Sequence, residues 1–106
     1  MSGPLEGVRV LDLTSVVMGP YATQWLGDYG ADVIKIEPPE GDVMRLSGPM
    51  KSDRMGHFYL TTNRNKRSVV IDLKSPSGRS VMLELVKTAD VLIYNLRPRA
   101  MERLGL

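Results

Sequence analysis

The residues best placed to do chemistry lie between Ser15 and Asp42, in the stretch SVVMGPYATQWLGDYGADVIKIEPPEGD. A glycine turn, a helix-forming run and a strand ending in an acid follow one another, which is the outline of a nucleotide-binding unit. Glu37 stands eighteen positions after Gly19, near the spacing of a ribose-binding acid. The fingerprint G-x-G-x-x-G is missing, however. The turn has one glycine where three are needed for separate steric reasons, and Val16, Val17 and Met18 put bulk where backbone must approach a pyrophosphate. This argues against a nicotinamide or flavin ligand. His57, the only histidine, lies beside Phe58 in a polar stretch. No serine–histidine–aspartate arrangement or metal-ligand spacing surrounds it, so it reads as a surface or packing residue. Asp12 and Asp72 each sit near the end of a strand pattern and read as turn caps or as partners of Arg64 or Arg67. No catalytic residue and no metal ligand is assigned.

The elements that must position these groups follow from periodicity. Val8–Leu13 and Asp32–Ile36 are apolar, β-branched runs that predict buried strands. Between them Gly19-Pro20 opens a helix, since proline suits a first helical position. Tyr21, Ala22, Trp25, Leu26 and Tyr29 recur at helical spacing and predict its buried apolar face; Gly30 supplies the stop. Residues 37–66, rich in Gly and Pro, predict a long irregular excursion. Ser68–Leu73 predicts a third strand. Ser75-Pro76 then predicts an N-cap and first turn, with Val81, Met82, Leu85, Val86 and Ala89 as the buried face of the helix. Val91–Tyr94 predicts a fourth strand and Pro98–Leu104 a final turn or two of helix. The order β-α-β, loop, β-α-β-α predicts an open α/β parallel sheet with right-handed crossovers. Ligands of such sheets bind beyond the carboxyl ends of the strands.

The chain has 106 residues, enough for one modest core, and no cysteine, which excludes disulfides and thiolate chemistry and suits a reducing cytoplasm. No run approaches the length of a membrane span, so a membrane partner is not expected. The net charge of +2 hides an asymmetry. Residues 1–50 carry three bases against seven acids, and residues 51–106 carry eleven bases against five acids. Clusters at Arg64, Lys66 and Arg67 and at Arg97, Arg99 and Arg103 suit a polyanionic partner. With no aromatic-rich strand for base stacking and no binding motif, that partner is not nucleic acid.

The segments PLEGVRVLDLTSVVMGPYATQWLGDYGADVIKIEPPEGD, NRNKRSVVIDLKSPSGR and ADVLIYNLRPRAMERLGL together resemble the N-terminal part of the class III CoA-transferases, a family that includes formyl-CoA transferase, carnitine CoA-transferases and α-methylacyl-CoA racemases. The resemblance runs from Pro4 to Leu106. It implies a Rossmann-like open parallel sheet, with residues 1–106 as its N-terminal CoA-binding part and four strands, incomplete relative to the full family domain. It further implies that the glycine-poor turn faces CoA rather than a dinucleotide. Matched motif by motif, Val16 and Val17 fall at the CoA and thioester region. Ile71 and Lys74 fall near the adenine and its phosphates, Asn95 and Leu96 at the fourth strand end, and Arg103 at a CoA phosphate. Pro38 stands where many relatives carry an arginine against the adenine, and Val17 where formyl-CoA transferase carries glutamine, which argues against formyl/oxalate exchange. No permanently bound cofactor is implied. Coenzyme A or acyl-CoA is a substrate, with a carboxylic acid as acceptor and an interlocked homodimer as the assembly. The family nucleophile is an aspartate that lies beyond Leu106. It forms an acyl–aspartyl anhydride and then carries CoA as an aspartyl thioester. Two alternatives stand beside this reading: an acyl-CoA racemase of the same family, and a non-catalytic CoA-binding or assembly module.

Overall fold

The computed structural model describes residues 3–106. Four parallel strands, β1 (Arg9–Leu13), β2 (Asp32–Glu37), β3 (Lys66–Val70) and β4 (Val91–Tyr94), form one sheet in the order β3-β2-β1-β4. Helices α1 (Met18–Asp28), α2 (His57–Thr62) and α3 (Pro76–Val86) lie between them, and α4 (Pro98–Arg103) follows β4. The expected open parallel α/β sheet is therefore present. The chain turns back past β1 to place β4 on its far side, and this makes the β1/β4 boundary the topological switch point.

The two faces of the sheet differ in chemistry. One is apolar: Leu11, Leu13, Ile34 and Ile36 pack with Ile71 and with Met82 of α3. The other carries Val10 and Val33 at its amino half, but Asp12, Lys35 and Glu37 at its carboxyl half, all three buried. Alternation along the strands puts these polar side chains on the same side as Val10 and Val33, and Asp12 stands opposite Lys35 in register.

That charged half-face decides how α1 packs. The expectation of a buried apolar face is corrected in part: Leu26 packs against Val10 and Val33, but Ala22 is exposed, Tyr21, Trp25 and Tyr29 are each about half exposed, and the helix buries Pro20, Thr23, Gln24 and Gly27. A polar sheet surface takes hydrogen-bonding residues, so Thr23 donates its hydroxyl to Asp12 at 2.6 Å. Gly27 allows close approach, since a Cβ there would lie 2.9 Å from the Asn65 carbonyl oxygen. The aromatic rings pack on one another instead, with centroids 6.1 and 5.8 Å apart along the stripe. The helix also begins earlier than the sequence suggested. Val17 is the N-cap and Pro20 is the third helical residue, a position whose N–H has no intrahelical partner in any case. Gly30, at φ 101°, ends it as expected.

Helix α3 starts as read, with Ser75 accepting from the Gly78 N–H at 3.0 Å and Pro76 at its first position. Its buried face is narrower than expected: Met82 is buried and Leu85 and Ala89 pack beside the core, but Val81 and Val86 are exposed. Strand β3 begins two residues before the expected Ser68 and ends three before Leu73. The ladder stops because β2 runs into Pro38 and Pro39, which have no N–H to continue it. The last bond is from the Ile71 N–H to the Glu37 carbonyl at 3.0 Å. The excursion between β2 and β3 is more ordered than predicted. It contains a 3-10 turn at Val43–Leu46, an antiparallel bridge between Met50 and Gly56, and α2, which His57 opens.

Candidate functional site at the carboxyl rim

A cleft of about 320 Å³ opens at the carboxyl ends of β1 and β2. Its walls come from the strand end and turn at Leu13–Ser15, the segment from Lys35 to Val43, the turn after β3 at Ile71–Lys74, and Leu96 and Leu104 near α4. Three of the residues singled out from sequence, Ile71, Lys74 and Leu96, line this cleft. Ile71 is buried and continues the apolar core into the cleft wall. The other four do not line it. Val16 and Val17 form the exposed turn into α1. Asn95 leaves β4 and hydrogen-bonds the backbone of Ser15. Arg103 lies in the last turn of the short helix α4.

The sequence did not reveal what builds the polar floor of this cleft. Lys35, its side chain 1% exposed, pairs with Asp42 at 2.8 Å and donates to the Thr14 carbonyl at 3.2 Å. Beside it Lys66 pairs with Asp12 at 2.9 Å. The expectation that Asp12 caps a turn holds, since it accepts from the Thr14 N–H at 2.9 Å. Its ionic partner is Lys66, though, not Arg64 or Arg67, which pair with Asp28 and Asp32. Burial would raise the Asp12 pKa, but the Lys66 charge and the Thr14 and Thr23 hydroxyls outweigh it and hold the carboxyl below its usual range. Burial brings Lys66 down to about 8 despite the opposing charge of Asp12. Asp72 is the turn cap that was expected, accepting from the Lys74 N–H at 3.1 Å.

Glu37 explains why a ribose acid is unavailable. Its carboxylate accepts from the Arg45 guanidinium through two 2.8 Å bonds, from the Asp42 N–H at 3.0 Å, from Tyr59 at 3.2 Å and from Ser68. Burial raises its pKa, but these donors, Arg45 foremost, bring it down to about 2. Arg45 also lies over the Tyr59 ring, 3.9 Å from its centroid. The acid that mimics a nucleotide fingerprint thus ties the β2–β3 excursion to the sheet. A signal for this was present in the sequence: Asp12 and Lys35 interrupt otherwise apolar strands, and Asp42 and Arg45 punctuate a Gly- and Pro-rich loop. His57 stacks on Phe58 with centroids 4.3 Å apart and does not line the cleft.

The basic clusters also separate. Arg9, Arg64, Lys66 and Arg67 are engaged by Asp12, Asp28 and Asp32. Among the described residues, no ion pair involves Lys74, Arg97, Arg99 or Arg103. Lys51 and Arg54 of the β2–β3 excursion and Arg79 of α3 likewise form none.

A four-stranded parallel sheet with its helices and a cleft at its carboxyl rim defines a Rossmann-like α/β unit. At this level a putative β-ketoacyl-ACP reductase, 17% identical with a TM-score of 0.53, shares the fold alone. Much nearer likenesses exist. The family model for CoA-transferase family III matches residues 5–106, and the chain belongs to that family. It is 45% identical to human succinyl-CoA:glutarate CoA-transferase over 97% of this chain and 24% of that protein. It is 48% identical to the acetyl-CoA:oxalate CoA-transferase of Acetobacter aceti over 97% of this chain and 26% of that one. A CaiB/BaiF family protein from Brucella suis superposes with a TM-score of 0.92 at 38% identity, over 100% of this chain and 29% of that structure. The chain thus spans about a quarter of the length of the curated relatives it matches.

Proposed function

We propose that this chain is the N-terminal CoA-binding segment of an enzyme that moves CoA between carboxylic acids. The observation that carries the reading is the cleft: in a chain of this family it has Ile71, Leu96 and Lys74, a cation in no ion pair, in its wall. In this reading Ile71 and Leu96 give apolar cover to the adenine end. The Lys74 ammonium and the Arg103 guanidinium meet the phosphates, which need cations. Val16 and Val17 border the thioester end, with Asn95 between the two. The nucleophile, an aspartate outside residues 1–106, attacks the donor thioester carbonyl and releases CoA thiolate, leaving an acyl–aspartyl anhydride. The thiolate attacks the aspartyl carbonyl and frees the donor acid. The acceptor carboxylate and then the returning thiolate repeat these steps in reverse order, and the aspartate is regenerated. Asp12 is no substitute for that aspartate, because it is fully buried and held by Lys66. The enzyme works as a homodimer, and the absence of cysteine suits the cytoplasm. Among the described residues no helix is long and apolar enough to cross a membrane.

Calorimetric titration with CoA, run beside NAD on a chain whose fold circular dichroism has verified, tests this. CoA binds and NAD does not. Added salt and Arg103→Ala each weaken CoA, the substitution by about tenfold for one charge-assisted contact. Binding of NAD without CoA would overturn the reading.

A further inference from the structure

The turn from β1 into α1 holds a conformation its sequence does not favour. Val16, a β-branched residue, has φ 74°, in the left-handed region where such residues are outliers. Its side chain is 43% exposed, so burial of the valine does not compensate. Such strain persists only where the surroundings over-determine it, and here they do. Lys35 holds the Thr14 carbonyl at 3.2 Å. The Asn95 amide takes both backbone polar groups of Ser15: its oxygen accepts from the Ser15 N–H at 3.2 Å and its nitrogen donates to the Ser15 carbonyl at 2.9 Å. The Asp42 carboxylate, bound to Lys35 through one oxygen, accepts with the other from Met44 N–H at 2.9 Å and, more weakly, from Val16 N–H at 3.4 Å. Three consecutive residues are thus held by groups from β2, the loop after it and the end of β4. Four of the participants, Thr14, Ser15, Lys35 and Asp42, are themselves cleft wall.

We infer that Asn95 is a positioning residue: with the Lys35–Asp42 pair it holds the Thr14–Val16 turn in its left-handed form, so that the turn presents a preorganised wall to CoA. This rests on the CoA reading above and changes the role of Asn95 within it. One donor and one acceptor of its amide are engaged by Ser15, so its effect on the ligand runs through the turn. A preorganised wall saves the ordering cost of binding.

The experiment pairs a structural readout with a binding one. NMR of the full chain follows the backbone shifts and HN–Hα couplings of residues 15–17, and titration measures coenzyme A. Asn95→Ala, a change at an exposed position, releases Val16 from positive φ and weakens CoA about tenfold. Asn95→Asp, which keeps the acceptor for the Ser15 N–H and loses the donor, gives an intermediate shift and an intermediate loss. Adding Val16→Gly to Asn95→Ala restores the turn signals, and the loss from Asn95→Ala becomes smaller than in the Val16 background. Val16 remaining left-handed in Asn95→Ala would overturn the proposal, as would losses from Asn95→Ala and Val16→Gly that simply multiply. If Val16 responds to Asn95 but the unsubstituted chain does not bind CoA, the CoA reading is what fails. The positioning role then falls with it and the clamp is scaffold only.

Discussion

Glu37 shows how one residue can carry the outline of one function and perform another. Its spacing from Gly19 suits a ribose acid, yet its carboxylate is closed by Arg45, Tyr59, Ser68 and the Asp42 N–H. The consequence is a pH dependence. The folded pKa, about 2, lies below the ordinary 4.5, so the stabilisation is complete above pH 4.5 and is lost as pH falls toward 2. The shift corresponds to about 3 kcal/mol at neutral pH. Denaturant midpoints from pH 7 down to 2 test this. The native chain loses stability steeply below pH 4.5, and Glu37→Gln, already destabilised at pH 7, loses much less over the same interval. Parallel curves for the two proteins would show that Glu37 is not the group responsible.

At the scale of the element, α1 has its chemistry inverted relative to its aromatic pattern. Thr23 meets the sheet at Asp12 and Gln24 is buried, while Tyr21, Trp25 and Tyr29 are about half exposed. The energetic ranking of its positions is inverted too. Thr23→Val keeps the shape but removes a donor to the buried Asp12 carboxylate, and is expected to cost about 1–3 kcal/mol. Trp25→Gln removes a far larger side chain that is 46% exposed, and is expected to cost under about 1 kcal/mol. Urea unfolding of the two variants decides the matter, and a larger loss for Trp25→Gln would mean that the aromatic stripe holds the fold.

At the scale of the whole molecule, charge and sheet edges are the governing features. The acidic first half and basic second half meet in ion pairs of Arg64, Lys66 and Arg67 with Asp28, Asp12 and Asp32, while Arg97, Arg99 and Arg103 around α4 stay outside the ion pairs of the described residues. The sheet has two open edges, and Leu92 and Tyr94 of β4 are 36% and 45% exposed. An unpaired apolar edge associates. Sedimentation velocity is therefore expected to show concentration-dependent self-association of this chain, reduced by Leu92→Lys, which places a charge on the exposed edge. A chain that is monomeric at every concentration before substitution would contradict this.

The sequence by itself determined the order of the strands along the chain, the Ser75-Pro76 start of α3, the Gly30 stop and the parallel α/β class, because period-two apolar runs, caps and positive-φ glycines are local signals. Its motifs pointed to the family, and three of the seven residues they singled out, Ile71, Lys74 and Leu96, line one cleft. Tertiary structure alone decided which face of α1 is buried, because that depends on Asp12, Lys35 and Glu37 meeting across two strands, and hydrophobic periodicity cannot see a polar partner. It also decided the end of β3, which is set by the prolines after β2, a neighbour 30 or so residues away in the chain. And it decided that Lys66 rather than Arg64 or Arg67 answers Asp12, since ion pairing in a buried site is settled by which side chain the strand register brings within 3 Å or so.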